Sequence, residues 1–142
     1  MNISQLKVKV TELGPNEPYM SSRVEALFRE HLNYNLKDIQ EQQRKEKDAY
    51  ARIDLNLADP VDRAEATRVQ EESHRRSEQL SSEAKKTIRA IKSIQDSEYG
   101  YCVECGIEIG LERLLTRPNC IRDMDCENLH EQKLARENGL RR

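Results

Sequence analysis

The sequence predicts a mainly α-helical protein in which a long antiparallel coiled-coil hairpin stands on a small cysteine-containing globular module with a C-terminal helix. The 142 residues are 35% charged and only 4% aromatic, too little apolar material for a large core. Long runs free of glycine and proline flank Pro60. All four cysteines fall between Cys102 and Cys126. Order must therefore come from long helices with narrow apolar seams, from a metal or from a partner.

Residues 1–21 are expected to form a partly irregular lead-in. Gly14, Pro15 and Pro18 give this stretch turn chemistry. Ser22 and Glu25 then have the spacing of a capping box, in which each side chain satisfies an amide left free at a helix start. A helix is therefore expected to begin near Ser22.

The hairpin is expected over residues 22–98, with its tip loop at 56–63. Each run beside Pro60 holds about 38 residues and would form a helix roughly 57 Å long. The apolar residues match in an antiparallel register, which places Phe28 opposite Ile94 and Ile39 opposite Ala84. A hairpin of two narrow seams is too thin to enclose a buried active site.

The same register predicts that the hairpin is tight near its ends at residues 28 and 94 and softer midway. Its middle is poor in apolar pairs, since Glu46 comes near Arg76 and only a weak exposed ion pair could form there. Farther along, Tyr50 falls opposite Ser73.

The tip carries two carboxylates, and two interpretations are compatible. Asp59 can cap the second helix, with Pro60 at its first position and Asp62 in its first turn, where a carboxylate favours the positive helix end. The tip could also present both carboxylates to a partner's metal or charged groups. A catalytic acid and base pair is not expected, because an exposed tip has no pocket to shift pKa values.

The module over residues 99–126 contains one Cys-x2-Cys pair, Cys102 and Cys105, which points two thiolates at one ion. Cys120 and Cys126 are five residues apart instead of two. One structural zinc bound by these four cysteines is the preferred expectation, which makes the module a zinc finger. Asp123 in place of Cys120 is the alternative that restores the two-residue spacing, and an incomplete site is a third.

The histidines are expected to lie outside this site. His130 could substitute as a ligand, but the interpretation adopted is that His31, His74 and His130 are solvated helix residues. A catalytic zinc is not expected, because no Glu or His stands as a base beside an open position.

The C-terminal segment 127–142 is expected to be a helix and tail. The helix would run from Glu127 to about residue 138 and end at Gly139. Leu129 and Leu134 are its expected docking residues, and Arg141-Arg142 is too short for a nucleic-acid tail.

Charge and composition limit the possible partners and location. The formal net charge of −2 gives no global attraction to nucleic acid. No apolar stretch approaches membrane-spanning length, and the N-terminus lacks the apolar core of a secretory signal. A cytoplasmic protein with reduced thiols, no membrane contact and a monomeric state is expected.

Three segments resemble the bacterial DksA/TraR family. They are Asp59-Pro-Val-Asp-Arg-Ala64, then Tyr99-Gly-Tyr-Cys-Val-Glu-Cys-Gly-Ile-Glu-Ile-Gly110, and then Arg113-Leu-Leu-Thr-Arg-Pro118. The similarity extends from roughly residue 19 to the C-terminal helix, and the spacing between the tip and the first cysteine fits without a gap.

The resemblance implies a transcription factor that binds RNA polymerase directly and inserts its coiled coil into the secondary channel. It would alter open-complex stability without sequence-specific DNA binding, and it would not be an enzyme. Asp59, Asp62 and Ala64 would match the family's functional tip, with both carboxylates reaching towards the catalytic region. The zinc module and C-terminal helix would dock at the outer rim of the channel.

Two departures from the family pattern concern the module. Asp123 holds the place where the family's second Cys-x2-Cys begins, and Cys120 is displaced into the loop. The family also binds ppGpp, the alarmone of the stringent response, with basic residues, of which Lys86 and Arg117 match two positions. Glu127 replaces the lysine that follows the last cysteine, so an acid repels phosphate there and the ppGpp response is expected to be weakened or lost.

Two other function classes compete with this one. A zinc-ribbon nucleic-acid-binding protein would bind DNA or RNA without polymerase, but near-neutral charge and the lack of an aromatic stacking platform disfavour it. A thiol redox sensor would need a reactive, metal-free thiolate.

Overall fold

The computed structural model of the chain describes residues 1–140, so the predicted tail at Arg141 and Arg142 lies outside the described residues. The helices are α1 (Ile3–Glu12), α2 (Ser22–Ala51), α3 (Pro60–Gln95), α4 (Leu111–Thr116) and α5 (Met124–Leu140). An isolated antiparallel bridge joins Tyr101 and Glu108. The mainly α-helical class is confirmed. A search of residues 1–140 for a helix that could cross a membrane finds none.

The described chain divides into two compact units, and each is described by itself. We call residues Tyr34–Ile88 the hairpin unit, and residues 1–33 with 89–140 the core unit. The expected boundaries of 22–98 follow the helices, whereas the compact hairpin unit is shorter because Phe28, Leu32 and Ile94 pack in the core unit.

The hairpin unit has a thin and partly polar seam. Ile39, Ala84 and Thr87 are buried, whereas Ile88 is 52% exposed and stays off the seam. Because few apolar side chains are shielded from water, packing contributes little in the middle of this unit. In the middle of this unit Leu80 and polar side chains line a groove of about 450 Å³, and softness there stays a prediction.

Polar contacts cross the hairpin farther along, and they differ from the predicted pairs. Ser73 Oγ donates to Glu46 Oε1 at 2.6 Å, and Gln70 Nε2 donates to the Tyr50 hydroxyl at 2.9 Å. Glu46 thus binds a hydroxyl, whereas Arg76 pairs with Glu72 on its own helix at 3.3 Å. The expected Glu46 to Arg76 pair does not form among the described residues, because one helical turn brings Glu72 closer to the guanidinium.

The core unit encloses one apolar cluster, to which α1, α2, α3 and α4 contribute buried side chains. Phe28 and Tyr99 pack with their ring centroids 5.4 Å apart, and the Tyr99 hydroxyl donates to the Pro118 carbonyl at 2.6 Å. The buried members of the cluster are Leu6, Val10, Met20, Val24, Phe28, Leu32, Ala90, Ile94, Tyr99, Cys102, Ile109 and Leu114. Cys102 belongs to this cluster, so apolar packing positions the first thiol of the cysteine module.

The lead-in is more ordered than expected. Residues 3–12 form α1, because Asn2 and Gln5 make a reciprocal capping box, with bonds of 2.9 and 3.1 Å. Leu6 and Val10 then bury one face of α1 in the core unit. The irregular part of the lead-in is limited to residues 13–21.

The cap of α2 lies one residue earlier than predicted. The Ser21 hydroxyl accepts from the Val24 amide at 3.3 Å, and the Ser21 carbonyl accepts the first helical bond from Glu25. The prediction of a capping box between Ser22 and Glu25 is therefore wrong, because Ser21 is the residue that caps the helix.

Helix α5 begins earlier and ends later than predicted. Asp123 accepts from the amides of Asp125 and Cys126, so it caps a helix that begins at Met124, three residues before the expected start at Glu127. Gly139 does not end the helix, which continues to Leu140; a helical glycine is unfavourable by only about 1 kcal/mol.

Candidate functional site: a cysteine and carboxylate cluster and a hairpin tip

The first cysteine pair sits in a tight knuckle. The Cys102 amide donates to the Ile107 carbonyl, and the Gly106 amide donates back to the Cys102 carbonyl, both at 2.8 Å. Gly106 has a φ of 76°, a conformation that glycine adopts without strain. The Val103 amide donates to the Ile121 carbonyl at 3.0 Å and so holds the second loop against the knuckle.

The knuckle and the second loop bring four donor groups together. The sulfur atoms of Cys102, Cys105 and Cys126 and a carboxylate oxygen of Asp123 all lie within 4.8 Å of one another. Asp123 is only 8% exposed, and its Oδ2 accepts a hydrogen bond of 3.1 Å from Cys105 Sγ. Among the described residues this is the one group with metal-binding spacing.

Cys120 is absent from this cluster, in which Asp123 stands beside the other three cysteines. The Cys120 amide donates to the Arg117 carbonyl at 3.1 Å, and its side chain packs against the apolar cluster of the core unit. Burial raises the pKa of its thiol. The physical reason for the exchange is spacing, because Asp123 and Cys126 repeat the two-residue separation of the knuckle.

The histidines also stand apart from the cluster. His74 is exposed and lies 3.4 Å from Glu78, as expected for a solvated helix residue. The same expectation is wrong for His31, which is 2% exposed and contacts the Met1 carbonyl through Nδ1 at 2.8 Å. His130 is half-buried.

Hydrogen bonds within the cluster shift the pKa values of the Asp123 carboxylate and the Cys126 thiol in opposite directions. The Cys102 thiol and the Cys126 amide donate hydrogen bonds that hold the pKa of Asp123 well below its usual range. The hydrogen bond to Asp123 in turn raises the pKa of the Cys126 thiol far above its ordinary value. The ionised carboxylate therefore attracts thiol protons, which a bound cation would replace.

The donor set fits a tetrahedral zinc ion. Three thiols and one carboxylate are donors that zinc accepts, and together they fill four positions. A site closed by four protein ligands leaves no open position for a reacting water. Bound zinc would cross-link the knuckle to the start of α5 and so stabilise a module with little apolar material.

The hairpin tip places the predicted acids at the start of α3. Asp59 Oδ1 accepts from the Val61 amide at 2.7 Å, and the Asp59 carbonyl accepts from the Arg63 amide, so Asp59 is a helix cap. Asp62 is exposed and makes no hydrogen bond or ion pair with the described residues. Ala64 is exposed as well. Capping therefore accounts for Asp59, whereas Asp62 lies in the first turn of α3, where its carboxylate favours the positive helix end but stays open to a partner.

An arginine that the sequence reasoning did not single out orders the tip. Arg63 Nη1 donates to the carbonyls of Leu57 and Ala58 at 3.0 and 3.2 Å. These bonds close the loop onto the first turn of α3. The sequence signal that could have revealed Arg63 is its position in the acidic segment from Asp59 to Ala64.

The two basic residues expected at a phosphate site lie in different units. Lys86 is exposed in the hairpin unit, and Arg117 is exposed in the core unit. Arg117 lines an open groove of about 750 Å³. Its charged residues are the acids Glu112, Glu127 and Glu131 and the bases Arg113 and Arg117.

Comparisons with known proteins agree on one family. The model of the prokaryotic dksA/traR C4-type zinc finger matches residues 97–132, which include all four clustered donors. The chain is 32% identical over 121 residues to the RNA polymerase-binding transcription factor DksA of Escherichia coli (strain K12), covering 82% of this chain and 78% of that protein. It is 27% identical over 135 residues to the protein of the same name from Caulobacter vibrioides, covering 94% and 95%.

A solved structure shares the fold. The transcription factor DksA2 from Pseudomonas aeruginosa superposes with a TM-score of 0.75 at 22% identity, over 92% of this chain and 98% of that one. The zinc-finger match and the donor cluster identify one structural zinc site in the core unit. The chain therefore belongs to the DksA/TraR family, whose members are transcription factors and not enzymes.

Proposed function

We propose that this chain binds RNA polymerase and modulates transcription initiation by inserting its hairpin tip into the secondary channel. It acts in the cytoplasm as a monomer and reads no DNA sequence. The observation that carries the proposal is Asp62, an exposed carboxylate at the tip with no partner among the described residues. The relatives from Escherichia coli and Caulobacter vibrioides, named as RNA polymerase-binding, supply the partner.

The tip supports this function through its charge and rigidity. Asp59 caps α3 and Arg63 closes the loop, so the backbone around Asp62 is fixed before any partner is met. A preformed loop loses little conformational entropy on binding. Ala64, which lacks a side chain beyond Cβ, lets the tip approach a crowded surface. We propose that Asp59 and Asp62 act there on charged groups near the polymerase's catalytic region.

The exposed apolar residues of α5 support a second contact, at the outer rim of the channel. Leu129 and Leu134, the expected docking residues, are 56% and 46% exposed, and no residue of α5 is buried. Both side chains are about half exposed in the described chain, so they are available to polymerase. Exposed apolar groups on an otherwise charged helix favour an interface.

The experiment that tests this function measures the affinity for polymerase separately from the effect on transcription. Asp62→Asn removes the charge and keeps the shape, so it should abolish the change in transcription from a sensitive promoter while polymerase affinity stays largely intact. Glu71→Gln, at another exposed acid of α3, is the matched control and should behave like the wild-type chain. If Asp62→Asn regulates transcription as the wild-type chain does, the tip mechanism fails.

We further propose that ppGpp acts weakly on this chain. Lys86 and Arg117 are exposed and can contact phosphate from their respective units. Glu127 opposes this, because it lines the same groove as Arg117 with two further carboxylates, Glu112 and Glu131. Glu127 also lies 3.9 Å from Arg122, which compensates its charge only in part.

A further inference from the structure

The two oxygens of the Asp123 carboxylate have different tasks. Oδ1 accepts from the amides of Asp125 at 2.8 Å and Cys126 at 3.1 Å, which caps α5. Oδ2 lies 3.1 Å from Cys105 Sγ, inside the donor cluster. A cysteine at position 123 would have a single sulfur atom to offer. A carboxylate can offer one oxygen to a metal and keep the other for the helix.

The stability of helix α5 depends on its N-terminal end. None of its residues from Met124 to Leu140 is buried, so apolar packing hardly stabilises it. An isolated helix of this length is marginal in water. The capping oxygen of Asp123 and the thiol of Cys126, in the first turn, are therefore its main attachment to the core unit.

Cys120 cannot replace Asp123 without a rearrangement. Its side chain packs against the apolar cluster, and its amide is held by the Arg117 carbonyl. Moving the thiol into the donor cluster would take it out of this packing and break the bond between the Cys120 amide and the Arg117 carbonyl.

We propose that Asp123 is the fourth zinc ligand through one oxygen while the other keeps capping α5, so that zinc occupancy controls the order of the first turn of α5. The site is thus a three-thiolate, one-carboxylate member of a four-cysteine family. On binding, the three thiols release their protons to solvent. The proposal concerns the core unit alone and does not depend on polymerase binding.

Zinc affinity of the full-length chain tests the ligand. We compare wild type, Asp123→Asn and Cys120→Ser by metal content and by competition with a chromophoric chelator. Asp123→Asn keeps the capping oxygen but loses the charge, and it should weaken zinc binding by at least about tenfold. Cys120→Ser should keep one zinc with unchanged affinity. Asp125→Asn is the matched control, because it removes a neighbouring exposed charge outside the cluster.

The outcomes are distinct. Loss of zinc in Cys120→Ser, or unchanged affinity in Asp123→Asn, overturns the assignment. If Asp123→Asn does not fold, the Co²⁺ absorption spectra of the wild-type chain and of Asp123→Cys test whether Asp123 is the fourth ligand. Thiolate-to-cobalt absorption should be stronger in Asp123→Cys than in wild type, and equal intensities overturn the proposal.

Amide hydrogen exchange tests the link to the helix. In the wild-type chain, zinc should slow exchange in the first turns of α5, and a chelator should reverse this. In Asp123→Asn, added zinc should slow the same amides less. Equal exchange of α5 in wild type with and without zinc contradicts the coupling, whatever the ligand set.

Discussion

The hydroxyl of Tyr19 donates a hydrogen bond of 2.6 Å to the backbone carbonyl of Gly100, across 81 positions of sequence. The same oxygen accepts from the Gly110 amide at 3.1 Å. One side chain from the lead-in therefore fixes the backbone on both sides of the first knuckle.

Tyr19→Phe should destabilise the chain, because it leaves the carbonyl of Gly100 and the amide of Gly110 without their partner. The expected loss is about 1–3 kcal/mol in the free energy of unfolding, measured by urea denaturation. Tyr101→Phe is the control, since the Tyr101 ring packs edge-on against Tyr19 but its hydroxyl makes no hydrogen bond in the described chain. Equal stability of both variants would contradict the role of the hydroxyl.

Gly100→Ala should be more harmful than Gly14→Ala. Both glycines have positive φ, 90° and 85°, so an alanine at either site pays a conformational penalty of roughly 1 kcal/mol. At Gly100 the new Cβ would also lie 2.4 Å from Met20 Cγ, whereas at Gly14 it meets nothing within 4 Å. The thermal midpoint should fall further for Gly100→Ala, and equal falls would show that the Met20 contact is unimportant.

His31 should make stability depend on pH. Burial lowers its pKa below the ordinary value of 6.5, because the charged form is disfavoured away from water, and the nearby N-terminal amino group opposes protonation too. Between the folded pKa and 6.5 the unfolded chain holds more protons, so stability falls as pH drops through that range.

The measurement is the free energy of unfolding of wild type and His31→Gln at about pH 7.5 and about pH 5.5, on either side of the unperturbed histidine pKa. The wild-type chain should lose more stability on acidification than the variant, while His74→Gln, at the exposed histidine, should follow the wild type. Comparing variants removes the common effect of acid on the cysteines. An identical loss in His31→Gln would contradict the buried neutral imidazole.

The long helices could be predicted because nothing in residues 22–98 interrupts them except the tip, and antiparallel helices leave a matching apolar pattern. Helix α1 was missed although Asn2 and Gln5 carry a capping box, because its apolar face is short and gains order only from packing. His31 was misjudged because its contact with the Met1 carbonyl joins residues 30 positions apart, which no local pattern reveals. The sequence could not choose between Cys120 and Asp123, because the two-residue spacing favours Asp123 whereas zinc's preference for thiolates favours Cys120.

Glu127→Lys should strengthen the ppGpp response. It converts the acid beside Arg117 in the groove to a base, which favours a phosphate ligand. We expect a larger effect of ppGpp on transcription in the presence of polymerase and the variant than with wild type. Glu137→Lys makes the same charge change on α5 outside the groove and should leave the response unchanged. If both variants strengthen the ppGpp response equally, the effect comes from net charge and not from the groove.

The position of the tip in the polymerase complex tests the central claim most directly. A photocrosslinking residue placed at Val61, which is 75% exposed beside Asp62, can be compared with one at Val8, 57% exposed on α1. We predict that Val61 crosslinks to polymerase inside the secondary channel near its catalytic region, and that Val8 does not. Crosslinks from Val61 only to promoter DNA or to the outer polymerase surface would contradict the account.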